Sequence, residues 1–233
     1  MNELNISRSI VSILEFLQEY DIEVIQHNSF EKFEKVAKRA RGNKVSGMFD
    51  SRYFDFTARN SFWLEYRRKD KTMSVMAFRI RDIGDDALID HLSEQERVYP
   101  KPNKMGTGHA PLVSEISGNI VYIGEFSLPV EMQKKGLAGI CVTLGVLASL
   151  SRWPDGDWFW GFMSEDMAAR GYSERIGFSR IEPRGVVWDI EPEGISTKDW
   201  IVAFENVSAR RLADLIADVG IQVLLPHKRA SRR

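Results

Sequence analysis

Residues 118–183 read GNIVYIGEFSLPVEMQKKGLAGICVTLGVLASLSRWPDGDWFWGFMSEDMAARGYSERIGFSRIEP. Side chains in residues 119–128 alternate between two faces with the two-residue period of a β-strand. Apolar side chains in residues 137–148 recur at helical spacing. The sequence therefore predicts a strand that leads through a basic turn with one glycine into a buried helix.

The turn itself, residues 133–138, reads QKKGLA. A helix N-terminus presents amide groups that have no partner within the helix, and its dipole favours an anion. Gly136 lets the backbone approach a diphosphate closely, with Lys134 and Lys135 beside it. The turn is therefore a candidate diphosphate site.

The turn resembles the pyrophosphate motif of the GNAT family of acyl-CoA N-acyltransferases, Gln/Arg-x-x-Gly-x-Gly/Ala between a central strand and a helix. Gln133, Gly136 and Ala138 fill its fixed positions. A second signature of that family, a short helix ending in Gly-Phe, is matched by residues 164–178 after a predicted strand at 157–162. We expect Ser164 or Asp166 to cap this helix. Its predicted apolar stripe consists of Ala169, Tyr172, Ser173 and Ile176.

The resemblance extends over roughly residues 22–206, where the predicted elements follow the order in which the GNAT fold is built. It implies an α/β protein with a central mixed, mostly antiparallel twisted sheet flanked by helices. Residues 1–21 are expected to add an N-terminal helix. An insertion at about 84–117 precedes the central strand. Residues 207–233 are expected to add a helix, a strand and a basic tail.

Periodicity and turn signals give the remaining elements. We predict helices at 7–20, at 30–41 with Asn28 or Ser29 as its cap, at about 86–95, and from Ser208 onward. Predicted strands are 22–25, a hairpin of 62–66 and 74–80 around a turn at 69–71, then 186–190 and 200–204. A short helix is expected within 48–58. The loop 99–111 is either a lid on the substrate side or a mobile insertion.

The resemblance also implies the residues that bind acyl-CoA. The backbone amides of Lys135, Gly136, Leu137 and Ala138 would hold the diphosphate. Backbone groups of Leu128 and Val130 would pair with the pantetheine arm. Pro129 fits this interpretation, because it has no N–H group to donate to a neighbouring strand. Asp166 stands where the family often has an asparagine, and it places a charge near the cofactor.

Glu125 is the candidate catalytic base, since many family members place a carboxylate in this part of the central strand. A partly desolvated carboxylate would have a raised pKa suited to proton abstraction. The alternative is that Glu125 pairs with an arginine or faces solvent. Glu115 and Glu131 are weaker candidates.

The candidate acid that protonates the leaving thiolate is less well defined. Many family members place a tyrosine four residues before the glycine of Gly-Phe, but Ser173 occupies that position and Tyr172 lies one residue earlier. One residue corresponds to about 100° around a helix. Tyr172, Ser173 or water could therefore serve, the thiolate could leave unprotonated, or Tyr172 could be a core residue.

Composition narrows the possible classes of protein. The 233 residues, with 43% hydrophobic and 28% charged residues, indicate one folded domain with additions. A net charge of -1 gives no general attraction to nucleic acid, and no histidine spacing indicates a metal. The single cysteine, Cys141, is expected in the core, so a covalent intermediate is not required. We expect a cytoplasmic protein without a signal peptide or membrane span.

The expected function is transfer of an acetyl group from acetyl-CoA to a primary amine by direct attack in a ternary complex. The acceptor would be a small molecule or a peptide. Two alternatives remain: a GNAT-fold protein that binds acyl-CoA without turnover, and a transferase that uses an acyl carrier protein or aminoacyl-tRNA as donor. The apolar C-terminal addition packs on its own domain or forms a homodimer interface.

Overall fold

The protein is described by a computed structural model of residues 3–42, 45–95, 102–133, 135–192 and 195–225. The α-helices are α1 Glu3–Gln18, α2 Phe33–Arg41, α3 Leu88–Gln95, α4 Leu112–Glu115, α5 Val130–Gln133, α6 Leu137–Arg152, α7 Glu165–Ala169, α8 Tyr172–Ile176 and α9 Asn206–Val219. The strands are β1 Glu23–His27, β2 Ser61–Arg68, β3 Lys71–Asp82, β4 Lys104–Met105, β5 Asn119–Gly124, β6 Trp158–Met163, β7 Arg180–Glu182, β8 Trp188–Ile190 and β9 Trp200–Glu205. Short 3₁₀ helices are Gly47–Phe49 and Ile221–Leu224.

Seven strands form the main sheet in the order β1-β2-β3-β5-β6-β9-β7. All neighbouring pairs are antiparallel except β5 and β6, which run parallel. Helices α1, α6 and α9 contribute to the core on one face, and α2, α4 and the helix Gly47–Phe49 to the core on the other. The predicted α/β fold class, a mixed and mostly antiparallel sheet between helices, is confirmed.

Helix α6 is the central helix of its face, because its sequence is apolar on nearly every side. Gly145 allows close packing on the sheet, since a Cβ atom there would lie 2.4 Å from Cζ of Phe78. The hydroxyl of Tyr66 donates to the carbonyl oxygen of Cys141 at 2.9 Å. Cys141 is fully buried, and burial raises the pKa of its thiol far above its usual value. The predicted core position of Cys141 is confirmed.

The helices α1 and α9 pack directly against each other. The buried hydroxyl of Ser9 donates to the carbonyl oxygen of Ala213 at 2.7 Å, and the side-chain amide of Asn5 donates to Asp214 at 2.9 Å. Ile13 and Leu17 continue the buried face of α1. Helices α1 and α9, from opposite ends of the described chain, therefore share one layer with α6.

The predicted strand 119–128 is shorter than expected. Strand β5 ends at Gly124, because Glu125 has a φ of +64°, a left-handed conformation that does not continue a strand. The predicted helix after β6 is also interrupted. Gly171, with a φ of +72°, separates α7 from α8, so Ala168 is buried and Ala169 is exposed.

Of the two predicted helix caps, one is confirmed in position and the other is wrong. Ser164 is the N-cap of α7 but its side chain makes no capping hydrogen bond, and exposed Asp166 instead pairs with Arg170 at 2.9 Å. Helix α2 begins after Lys32, not after Asn28 or Ser29. The hairpin of β2 and β3 is confirmed, with a turn of two residues, Lys69 and Asp70, both at positive φ.

The C-terminal third differs from the predicted strand pattern. The main sheet takes β7, which was not predicted, whereas β8, within the predicted strand 186–190, pairs with β4 in a separate two-stranded sheet. The predicted C-terminal strand is wrong, because Ile221–Leu224 forms a 3₁₀ helix. The predicted basic tail, 227–233, lies outside the described residues.

The described part of the insertion is attached to the segment 180–190. Besides the β4–β8 pair, the amide of Gly106 donates to the carbonyl of Val187, and the amide of Leu112 donates to the carboxylate of Glu182 at 2.8 Å. The amide of Val187 donates in turn to Nδ1 of His109 at 2.9 Å. Several hydrogen bonds therefore attach residues 102–117 to the segment 180–190. Residues 96–101 lie outside the described part of the chain.

Candidate functional site

The main sheet opens between its two parallel strands. Strands β5 and β6 share three register pairs, the last being Tyr122 with Trp160. Beyond that pair, β6 continues alongside β9 only, and β5 continues alongside β3 only. The backbones of β5 and β6 are still close together one residue beyond that pair. A Cβ atom on Gly161 would lie 2.6 Å from the carbonyl oxygen of Ile123. A wedge-shaped gap therefore begins at the carboxyl ends of β5 and β6.

The backbone that follows β5 is not paired. In the part of the chain that the structure describes, the amide groups of residues 125–128 donate no hydrogen bond. Pro129 follows with no amide hydrogen at all. Backbone amides away from water are nearly always satisfied by some partner. These four consecutive donors at the mouth of the wedge are therefore available to an extended ligand.

The predicted diphosphate turn is ordered by its own hydrogen bonds. The side-chain amide of Gln133 donates to the carbonyl oxygen of Leu128 at 2.7 Å. Two of the four amides expected to hold the diphosphate already donate within the turn, Lys135 to Met132 at 3.1 Å and Gly136 to Gln133 at 3.3 Å. The other two, at Leu137 and Ala138, lie in the first turn of α6. Lys134 lies outside the described residues.

Gly136 fixes the geometry of the turn. It is the N-cap of α6 and has a φ of +75°, which a residue with a side chain adopts only with strain. Next to it, the ammonium of Lys135 lies 5.2 Å from the ring centroid of Tyr20, within the range of a cation–π contact. The turn thus places a lysine next to the N-terminus of α6. Val130, at the start of α5, is exposed.

Glu125 is buried and has two partners. Its Oε2 accepts a hydrogen bond from Nη1 of Arg41, the last residue of α2. Its Oε1 accepts from the backbone amide of Ser46 at 2.9 Å. The Glu125 side chain is 2% exposed and that of Arg41 is 23% exposed. Of the alternatives that the sequence left open, the structure shows the pairing with an arginine.

Aromatic side chains and a second arginine, Arg79, lie beside Tyr122 near the end of β5. Tyr122 packs between Phe49, at 5.3 Å between ring centroids, and Trp160, at 4.7 Å. Burial raises the pKa of Tyr122 to about 12, although Arg79 and Arg41 lower it. The phenol is therefore protonated at neutral pH and can donate a hydrogen bond. Burial also lowers the pKa of Arg41, which still remains a cation.

One donor near the wedge has no partner. The indole nitrogen of Trp160 is buried and forms no hydrogen bond within the described parts of the chain. Trp160 belongs to the last β5–β6 pair. An unsatisfied buried donor costs about 1–3 kcal/mol, so such groups call for a ligand or water.

Tyr172 and Ser173 lie on α8, which packs against α6 on the opposite face of the sheet from Arg41. Tyr172 is half-buried. Ser173 is fully buried, and its hydroxyl donates to the carboxylate of Glu174 at 3.0 Å. Asp166, on α7, is exposed and paired with Arg170.

The structure separates the weaker base candidates from the wedge. Glu115 pairs with Arg180 at 2.6 Å on the side of the insertion, and Glu131 is exposed on α5. The sequence did not indicate Arg41, Ser46 or Tyr122 as site residues. The signal for Arg41 was present in part, because Arg41-Gly42 marked the end of α2, but nothing in the sequence placed that helix end beside β5.

The described segments contain no group of three or more histidine, cysteine, aspartate or glutamate side chains arranged to hold a metal ion. None of the helices within those segments is long and apolar enough to cross a membrane.

No family model and no curated protein sequence matches the chain. It is similar to several solved structures. One is an agmatine N-acetyltransferase variant without ligand, at 12% identity over 79% of this chain and 100% of that chain, with a TM-score of 0.47. Another is FeeM, an N-acyl amino acid synthase from uncultured soil microbes, at 11% identity over 83% and 98% with a TM-score of 0.46. A third is a GNAT family acetyltransferase from Elizabethkingia anophelis with acetyl-CoA bound, at 10% identity over 79% and 98% with a TM-score of 0.43. The assignment of the fold rests on the strand order and the two helical faces of the sheet.

Proposed function

We propose that the protein transfers an acetyl group from acetyl-CoA to a primary amine that is part of a small molecule or a peptide. The observation that carries this proposal is the run of four amides at residues 125–128 that have no partner among the described residues, at the mouth of the wedge between β5 and β6. An extended arm rich in amides, such as pantetheine, offers the carbonyl groups that these donors lack.

The turn at the end of the wedge suits the remainder of the donor. Gly136 lets the backbone approach closely, and the N-terminus of α6 favours a diphosphate. Under this proposal the amides of Leu137 and Ala138 bind the diphosphate, and Lys135 contributes a positive charge. The amides of Lys135 and Gly136 also bind the diphosphate if they give up their hydrogen bonds to Met132 and Gln133. Leu128 and Val130 then flank the pantetheine.

The chemistry needs a proton acceptor for the attacking ammonium and a source of protons for the departing thiolate. Glu125 is the buried carboxylate nearest the end of the central strand, and we assign it the role of base. The hydroxyl of Tyr172 is the proposed donor to sulfur. The other candidate, Ser173, is fully buried and its hydroxyl donates to Glu174.

A second candidate function is binding of acyl-CoA without turnover. Both oxygens of Glu125 already accept hydrogen bonds, one of them from a cation. A carboxylate held in this way is a weak proton acceptor. Turnover that depends on Glu125 separates the two functions.

Calorimetric titration with acetyl-CoA, on the protein and on its Gly136→Glu variant, tests the proposal. We expect micromolar binding by the protein. The variant should show no detectable binding, because the new carboxylate would fill the space of the diphosphate and repel its negative charge. Gly84→Glu is the matched control, since Gly84 also has a positive φ and a Cβ atom there would meet open space. Equal binding by the protein and the Gly136→Glu variant would refute the proposed donor site.

A further inference from the structure

We infer that the acceptor is an α-amino acid, whose carboxylate binds Arg41 and whose ammonium lies at Glu125. The inference rests on the proposed acyl transfer, because it names the substrate class of the same site. Its basis is the ion pair between Arg41 and Glu125 at the end of β5.

Arg41 has capacity for a second anion. Among the described residues, Glu125 is its only hydrogen-bond or ion-pair partner, and it uses one nitrogen, Nη1. A guanidinium carries five N–H donors in a planar fork that matches a carboxylate in two-point geometry. The Arg41 side chain is 23% exposed, so its remaining donors can be reached from solvent. Arg41 is therefore the accessible member of the ion pair, whereas Glu125 is almost completely buried.

Glu125 has no free oxygen in the structure as it stands. Arg41 occupies Oε2 and the amide of Ser46 occupies Oε1. An incoming carboxylate competes for the guanidinium and thereby weakens the hold of Arg41 on Oε2. Binding of a carboxylate would thus make Glu125 a better proton acceptor at the moment when the substrate ammonium arrives.

The charges of an amino acid complement both members of the pair. Its ammonium and carboxylate are separated by a single carbon atom, so a zwitterion can satisfy an adjacent cation and anion together. A simple amine brings only a positive charge next to Arg41, and like charges in a partly buried site repel each other. The pair therefore selects for a carboxylate beside the reacting amine.

The reaction then balances as follows. The ammonium gives one proton to Glu125, and the nitrogen lone pair attacks the thioester carbonyl of acetyl-CoA. The C–N bond forms and the C–S bond breaks, with the electron pair leaving on sulfur. The second proton of the nitrogen passes to the thiolate through Tyr172 or solvent, and Glu125 returns its proton to solvent. The products are an N-acetyl amino acid and CoA.

The test compares two pools, one of the α-amino acids of proteins except proline and one of the primary amines that correspond to them without the α-carboxylate. Each pool is incubated with acetyl-CoA and the protein, and N-acetylated products are identified by mass spectrometry while released thiol is followed by absorbance. We expect products from the amino-acid pool, and amines to react at least about 100-fold more slowly. Arg41→Gln should remove this preference by lowering kcat/KM for the amino acid about 100-fold.

Two variants guard against loss of folding. Arg41→Lys keeps the charge but not the two-point geometry, and should retain part of the activity. Arg52→Gln, which breaks an exposed arginine–carboxylate pair with Asp50, should leave kcat/KM unchanged. Thermal unfolding of all three variants shows whether each is folded.

The outcomes separate the inference from the proposed function. Amines acetylated as fast as amino acids, or full activity of Arg41→Gln, would overturn the inference and leave acyl transfer in place. Failure to bind acetyl-CoA would overturn the proposed function. In that case the melting temperature is measured with and without the amino-acid pool. A rise in the unmodified protein that is absent in Arg41→Gln would still support a zwitterion site at Arg41. No rise in the unmodified protein would exclude such a site. Bound acetyl-CoA with no product from either pool would count against an amino acid as the acceptor.

Discussion

Arg41, the last residue of α2, donates a hydrogen bond to the carboxylate of Glu125, the residue directly after the end of β5 and 84 positions further along the chain. The contact ties the helix layer on one face of the sheet to the mouth of the wedge between β5 and β6. Among the described residues, Glu125 is the only hydrogen-bond or ion-pair partner of Arg41, and it lies where the reacting groups of the proposed site must meet.

Replacing Glu125 with glutamine should lower kcat/KM about 100-fold, because the amide cannot accept the proton of the ammonium. The rise of kcat/KM with pH on the acidic side should disappear in the same variant. Glu115→Gln is the control, since Glu115 pairs with Arg180 away from the wedge. A pH profile of Glu125→Gln identical to that of the unmodified protein would rule out Glu125 as the base.

Replacing Tyr172 with phenylalanine should lower kcat about 10-fold and leave KM nearly unchanged, because only proton transfer to sulfur is lost. Steady-state kinetics with acetyl-CoA measures both constants. Ser173→Ala should instead lower the melting temperature, since it removes a buried hydroxyl that donates to Glu174. If the two variants exchanged these effects, Ser173 would be the proton donor.

Replacing Gly161 with alanine should cost about 2 kcal/mol of unfolding free energy and weaken acetyl-CoA binding. The new Cβ atom would lie 2.6 Å from the backbone carbonyl oxygen of Ile123, so β5 and β6 must separate where the wedge begins. Urea unfolding and calorimetry measure the two effects. Gly108→Ala, in open space at a positive φ, should show only a strain cost of about 1 kcal/mol. An unchanged midpoint for Gly161→Ala would show that the strands are not in close contact there.

His91 should make the protein less stable as the pH falls below about 6.5. Burial, together with Arg81 and Arg79, lowers the pKa of His91 from 6.5 to about 4 in the folded state. Between these values the unfolded chain binds more protons than the folded one, so stability is present above pH 6.5 and is lost on acidification toward pH 4. Between the two pKa values, one such group changes the free energy of unfolding by about 1.4 kcal/mol per pH unit.

The comparison of unfolding free energies at pH 7 and pH 5 tests this prediction. His91→Gln, which cannot be protonated, should lose about 1–2 kcal/mol less than the unmodified protein over that interval. Equal losses in the two proteins would show that His91 does not carry the pH dependence.

Much of the fold could be predicted from local patterns. The alternation in β5, the apolar residues of α6 and the hairpin of β2 and β3 each depend on a period that the sequence displays directly. The end of β5 could not be predicted, because Glu125 takes a left-handed φ that its residue type does not favour. The split of α7 from α8 was foreseeable in principle from Gly171, which lies inside the predicted helix.

The candidate site was less accessible to sequence reasoning. The turn and Gly136 are local features, but the partners of Glu125 come from Arg41 and Ser46, about 80 positions away. The pairing partner of β8 could not be predicted for a similar reason. Its partner β4 lies in the insertion, where periodicity gives no signal for a two-residue strand.

During synthesis, α1 must wait for α9 before the packing between these two helices can form. The hydrogen bonds from Ser9 to Ala213 and from Asn5 to Asp214 span 204 and 209 positions. A ribosome adds about 5–20 residues per second, so α1 emerges roughly 10 to 40 seconds before its partner exists. Through that interval the apolar stripe formed by Ile6, Ile13 and Leu17 lacks its final cover. Among the described elements, α1 can therefore pack on β1 and α6 well before α9 is available to it.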